Sequence, residues 1–199
     1  MDLEPKIVIL LSAYNGEDYL AEQLDSLLKQ TYSNFIIIIR DDASTDSTKQ
    51  IINYYVKRSQ GKIHKLSGIK SNVGPSSSFG LLINYAIKEK TALGLHRVYM
   101  MLCDQDDIWT EKKLEVQMSE MLNAEQKSPD VPILVHSDLK VVDECKKEIA
   151  ESFVEYQGLE IKRNKFTNIV ISNLVTGCTA LFNEELAQIA LPIPDTAIM

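Results

Sequence analysis

Uninterrupted apolar runs recur along the chain, and each ends abruptly in polar or acidic residues. They are "KIVILLSAY" from Lys6, "FIIIIRDD" from Phe35, "RVYMMLC" from Arg97 and "PILVHSDLKVVD" from Pro132. Continuous β-branched runs without alternation predict strands buried on both faces. "KIHKL", from Lys62, is a shorter strand of the same kind. Between the runs the apolar spacing turns helical. In "GEDYLAEQLDSLLKQ", residues Leu20, Leu24, Leu27 and Leu28 form one stripe. "STDSTKQIINYYVKR" opens on Ser and Thr caps, with Ser44 or Thr45 at the helix start. "GPSSSFGLLINYAIKE" carries Pro75 in its first turn, and "TEKKLEVQMSEMLNAEQ" begins at a Thr110 cap. Residues 145–168 are charged, lack a period and read as a loop.

This alternation predicts an α/β fold: a mostly parallel, doubly wound sheet with helices on both faces, in one domain spanning residues 1–199. Such sheets bind ligands at the carboxyl ends of their strands. The strand ends are therefore the candidate chemistry. The first ends in Ser12, Ala13, Tyr14 and Asn15, the second in Asp41 and Asp42, the fourth in "DQDD", and the fifth in His136, Ser137 and Asp138.

The "DQDD" end poses a physical problem. Asp104, Asp106 and Asp107 crowd behind an apolar strand, and two carboxylates about 4 Å apart repel by roughly 4 kcal/mol at an effective dielectric near 20. Either water surrounds them or a cation sits beside them. Asp104 and Asp106 are two residues apart and point the same way in extended backbone. That placement suits one hard divalent cation and a phosphate it would share. The competing reading is a solvated turn, with Asp107 favoured at the start of the next helix. At the second strand end, Asp41 or Asp42 can accept a hydrogen bond from a base N–H, with Tyr14 stacked on the same base or half-buried in the core.

Composition narrows the field. With 21 basic and 28 acidic side chains, the formal charge is −7, which disfavours nucleic acid as a partner. A basic cluster at Lys162, Arg163 and Lys165 reads as a solvated face or a contact surface. Three cysteines, Cys103, Cys145 and Cys178, share no metal-type spacing, so a disulfide framework is not expected and the chain reads as soluble and intracellular. The start "MDLEPK" lacks the basic character of a signal peptide, and no stretch approaches the roughly eighteen apolar residues of a membrane span. Glycine-rich dinucleotide and P-loop motifs are missing, as is a hydrolase elbow.

"VILLSAYNGEDYLAEQLDSLLKQTYSNFIIIIRDDASTDST" resembles the amino-terminal signature of the family 2 inverting glycosyltransferases, which adopt the GT-A fold. The likeness continues through "SNVGPSSSFG", "MLCDQDDIWTEKKLE", "LVHSDLKVVD" and "NLVTGCTALFN". "DQDDIW", "HSDL" and "TGC" are most similar to the rhamnosyltransferase-like and capsular-polysaccharide branch. The resemblance implies transfer of a sugar from a nucleotide-diphosphate donor, a UDP-sugar or dTDP-rhamnose, to a saccharide or lipid-linked acceptor. It implies Ala13 and Tyr14 in the base pocket, Asp41 on the base N3–H, and Asp104 near the ribose or a metal-bound water. Asp106 would ligate Mg²⁺ or Mn²⁺, Asp107 would support the loop, and Gly177 would lie on the acceptor side. The setting implied is cytoplasmic, with peripheral association at the inner face of the membrane.

The resemblance also implies an Asp or Glu general base downstream of "TGC". After the last match the sequence reads "LPIPDTAIM", without that motif. The expectation is a C-terminally incomplete domain whose base lies beyond Met199, with Asp138 and Asp195 as fallbacks. Two rivals remain: a non-catalytic nucleotide-sugar-binding fragment, and a sugar-1-phosphate nucleotidyltransferase. The latter would need a basic, glycine-rich loop where this chain has "SAYNGED".

Overall fold

The computed structural model describes residues 4–68, 71–159 and 175–194. Elements follow in the order β1 (Ile7–Ala13), α1 (Leu20–Leu28), β2 (Phe35–Asp41), α2 (Thr48–Arg58), β3 (Ile63–Lys65), α3 (Gly74–Lys88), β4 (Tyr99–Cys103) and α4 (Lys113–Lys127). Then come β5 (Leu134–His136), β6 (Val141–Val142), β7 (Glu148–Ala150) and α5 (Phe153–Tyr156). A single 3-10 turn, Gly177–Thr179, leads into β8 (Ala180–Asn183) and α6 (Glu184–Ala190).

The main sheet runs β3-β2-β1-β4-β8-β5. β1 pairs in parallel with β2 and β4, and β2 with β3. The apolar runs form its centre because both faces are covered. Ile7, Ile9 and Leu11 face Leu20, Leu24, Leu114 and Met118 from α1 and α4. Val8 and Leu10 face Phe79, Leu82 and Ile83 from α3. Every residue from Ile7 to Leu11 is fully buried, which explains the unbroken hydrophobic run.

One strand departs from the parallel pattern. β8 inserts between β4 and β5 and is antiparallel to both. Its Leu181 joins the α1/α4 side of the core and Phe182 the α3 side, so four residues suffice for a central strand. β5 still points the same way as β4, and Asp138 emerges at the same sheet edge as Asp104. The stretch read as a loop from residue 145 contains β7, paired with β6 in a two-stranded sheet, and α5. Its remainder, including Lys162, Arg163 and Lys165, lies outside the described residues, as does Asp195.

The helix starts also differ in detail. Ser47, not Ser44 or Thr45, is the N-cap of α2 and makes no side-chain cap bond; Asp46, one residue earlier, accepts from Thr48 N. α4 begins at Lys113, and Thr110 contributes its carbonyl to Lys113 N rather than a side-chain cap.

A buried ion pair fixes the cleft side of the sheet. Arg40 Nη1 donates to Asp42 Oδ1 at 2.6 Å, with both side chains 3% exposed. Arg40 also donates to Ser78 on α3. Asp42 accepts from the backbone N–H groups of Val73 and Gly74, both at 2.9 Å. Asp42 thereby ties the end of β2 to the start of α3. Removing one partner of such a pair leaves an uncompensated buried charge. Asp42→Ala is expected to lose about 3–5 kcal/mol of stability in urea unfolding; a loss below about 1 kcal/mol would show that Arg40 finds another partner.

Candidate functional site

At the carboxyl edge of the sheet, the loops after β1, β2 and β4 are laced together. Gln105 is the clamp. Its Oε1 accepts from Tyr14 N at 2.8 Å and its Nε2 donates to Tyr14 O at 3.0 Å. A Cβ at Gly16 would lie 2.4 Å from Gln105 Oε1, so only glycine admits this clamp. Asn15 N donates to Ser44 Oγ, Gly16 N to Thr48 Oγ1 and Glu17 N to Asp46. In return, Thr45 N donates to Asn15 Oδ1 and Ser47 N to Glu17 Oε2. Asn15 and Ala43 hold positive φ angles of 48° and 67°, a conformation disfavoured for side chains with a Cβ. The hydrogen bonds around both residues hold them there.

Two hollows adjoin this edge. One, of about 560 Å³, is lined by Ser12, Tyr14, Asn72, Gly74, Pro75 and the acidic β4 end. The other, of about 580 Å³, lies between that end and the β5–β6 segment, with Trp109, Lys113 and Asp138 in its walls. Asp106 lines both hollows. It stands at their junction.

The inner side of the acidic end is electrostatically tense. Carboxylate oxygens of Asp104 and Asp107 and the thiol of Cys178 lie within 4.8 Å of one another. Desolvation, then the charges of Asp107 and Asp106, push the Asp104 carboxyl up to about 6 against the opposing pull of Lys113. Asp104 is nonetheless an exposed residue, so solvent screens part of this repulsion. Asp107 Oδ2 is buried without a hydrogen-bond partner among the described residues. Burial, then the Asp107 charge and a hydrogen bond to Asp107, push the Cys178 thiol well up. Lys113 is the nearby cation: Nζ donates to Cys178 O at 2.7 Å and sits 3.9 Å from the Trp109 ring centre.

These residues fit a hard divalent ion. Oxygen donors converge, Lys113 opposes their mutual repulsion only in part, and one buried oxygen is orphaned. The structure groups Asp107 with Asp104 and Cys178, while Asp104 and Asp106 both line the 560 Å³ hollow. Asp41 lies on the other face of β2 from Asp42. Its Oδ1 accepts from Ser44 N, and Oδ2 is 3.6 Å from Lys49 Nζ. Ala13 is buried and Tyr14 is 47% exposed at the cleft. Gly177 begins the 3-10 turn beside Leu102, with ordinary room for a Cβ.

Asp138 lines the larger hollow, but it is occupied. It accepts from Ser152 Oγ, Leu139 N and Val154 N. These bonds outweigh partial desolvation and hold its carboxyl below the usual range. Two contributors went unread in the sequence, Gln105 and Lys113. Their only sequence signal was a position between or just after the aspartates.

A sheet of this order, with an acidic end at its fourth strand, defines the GT-A class. Over 98% of this chain, the mannosyltransferase PcManGT of Pyrobaculum calidifontis, solved with GDP-Man and Mn²⁺, superposes with a TM-score of 0.65 at 16% identity; the match covers 49% of that protein. S. aureus TarS 1-349 with UDP superposes over 70% of this chain and 37% of its own, with a TM-score of 0.55 and 24% identity. The glycosyl transferase family 2 model matches residues 8–188, and the chain belongs to that family. The putative glycosyltransferase EpsE of Bacillus subtilis is 32% identical over 60% of this chain and 39% of its own length. The glucosyltransferase WfgD of Escherichia coli is 29% identical over 58% of this chain and 41% of its own. The chain thus spans about two fifths of the length of these relatives. Among the described residues, no helix is long and apolar enough to cross a membrane.

The raised Asp104 carboxyl sets a pH dependence. Its folded value of about 6 exceeds the ordinary 3.8, so ionised Asp104 destabilises the fold. Its stabilising, protonated contribution is complete below about pH 4 and is lost as pH rises through 6. Without metal, Asp104→Asn should raise the melting temperature at pH 7.5 and lose that advantage at pH 4. An equal change at both values would remove the strain assigned to this carboxylate.

Proposed function

We propose that this chain forms the donor-binding part of an inverting, metal-dependent glycosyltransferase of surface-polysaccharide synthesis. The observation that carries this reading is the crowded β4 end opening onto a 560 Å³ hollow. The names of relatives support it. One is a putative teichuronic acid biosynthesis glycosyltransferase of Bacillus subtilis, 29% identical over 60% of this chain and 43% of its own. WfgD is named for UDP-Glc as donor and a diphosphoundecaprenol-linked acceptor. A UDP-sugar or dTDP-rhamnose is therefore the proposed donor, and a saccharide or lipid-linked saccharide the acceptor. The rhamnosyltransferase-like branch rests on the "DQDDIW", "HSDL" and "TGC" likeness alone.

In this reading the base lies against Ala13 and Tyr14, with Asp41 accepting from N3–H. The diphosphate lies in the 560 Å³ hollow, beside Asn72 and Pro75 at the start of α3. Asp106, at the junction of the hollows, and Asp104 hold Mg²⁺ or Mn²⁺, and Asp107 backs them from inside. The ion supplies charge stabilisation for the departing diphosphate. Gly177 lies toward the acceptor. Inversion requires a base to take the acceptor proton. Asp138 faces the right hollow, but its hydrogen bonds and depressed carboxyl make it a weak one. The cytoplasmic face of a membrane is the proposed place of action.

Calorimetry tests the donor site. UDP or dTDP should bind at least tenfold more tightly with Mn²⁺ than with chelator, and Asp106→Ala should abolish the difference more completely than Asp107→Ala. Equal binding in both conditions would refute the metal role. A charge-assisted hydrogen bond is worth about 1.5–3 kcal/mol, and cytosine carries no proton at N3. CDP should therefore bind about tenfold or more weakly than UDP, and Asp41→Ala should erase that preference. Comparable UDP and CDP affinities in the unaltered protein would remove Asp41 from the base pocket.

A further inference from the structure

Lys113 is a charged side chain in the wrong place for a surface lysine. It begins α4, yet its ammonium stands 3.9 Å from the centre of the Trp109 ring and donates to the carbonyl of Cys178. Cys178 follows Gly177 in the short turn before β8, and its thiol lies within 4.8 Å of carboxylate oxygens of both Asp104 and Asp107. Desolvation works against the ammonium while the two aspartates favour it. One turn further along α4, Gln117 Nε2 donates to Thr179 O at 2.6 Å. The helix thus grips the turn at two points, and only the first carries charge. Ordinary packing would be served by the glutamine alone.

We propose that Lys113 is a resident counter-cation and positioning residue: from between Trp109 and the 177–179 turn it offsets the Asp104–Asp107 repulsion in the empty site and sets how strongly that site attracts a divalent ion. A fixed positive charge near the ligands opposes an incoming cation. The site therefore folds without metal and binds it reversibly, at the cost of some affinity. This role rests on the donor-site reading for its metal half, whereas its stabilising half concerns the empty protein alone.

Lys113→Met keeps an apolar side chain of similar length and removes the charge together with the ammonium's contact to the Trp109 ring. Isothermal titration of Mn²⁺ is expected to show about tenfold tighter binding by Lys113→Met than by the unaltered protein. The melting temperature in chelator should fall, and saturating Mn²⁺ should restore most of it. Unchanged or weaker Mn²⁺ binding, with the same melting loss in both conditions, would overturn the proposal and leave Lys113 as a packing residue. A protein without any Mn²⁺ binding would remove the metal reading itself. The counter-cation role is then decided in chelator by the double variant Lys113→Met, Asp107→Asn. Melting above Lys113→Met supports the role, and melting at or below it overturns it.

Discussion

Like charges at the end of a buried strand are the constraint around which this molecule is arranged. β4 is apolar because it lies between two packed faces, and it ends in Asp104, Gln105, Asp106 and Asp107. Solvation relieves part of the repulsion at Asp106, which faces the clefts. It does not reach Asp107 Oδ2, which is buried and unbonded. Lys113 supplies the nearest positive charge, held by Trp109 and the Cys178 carbonyl. A divalent ion would complete the compensation from the open side.

The same edge must also keep its shape when empty. Gln105 does this between two aspartates by pairing both atoms of its amide with the Tyr14 backbone. The β1–α1 and β2–α2 loops exchange six further side-chain bonds. Asp42 secures the third wall through Arg40 and the start of α3. A cleft preorganised in this way loses less entropy when a ligand binds. The polar side chains near the site are largely scaffold, and few are left to meet the donor.

Much of this was legible because burial writes itself into sequence. A strand covered on both faces must be continuously apolar, as Ile7–Leu11 and Phe35–Ile39 are. The switch to a helical stripe at Leu20 then fixes the βα alternation. β8 was not legible as a sheet member because "ALFN" is short and its partner β4 lies far away in sequence. Ser44 and Thr45 do not cap α2 for a similar reason: both are engaged by a tertiary neighbour, Asn15, which the local motif does not reveal. Gln105 and Lys113 escaped notice because their partners, Tyr14 and Cys178, are distant in sequence. Asp138 looked like a free strand-end carboxylate, yet α5 claims it through Ser152 and Val154.

In the proposed reading, the carboxylates ending β4 hold a divalent ion beside a nucleotide diphosphate. Crystals grown with UDP and Mn²⁺, recorded at the manganese absorption edge, address it directly. The predicted result is one anomalous peak at bonding distance from Asp106 and the Asp104 side of the cluster. The UDP diphosphate should share that ion, and its base should lie beside Tyr14. A bound UDP whose diphosphate lies away from the β4 end, or a manganese peak elsewhere, would contradict it.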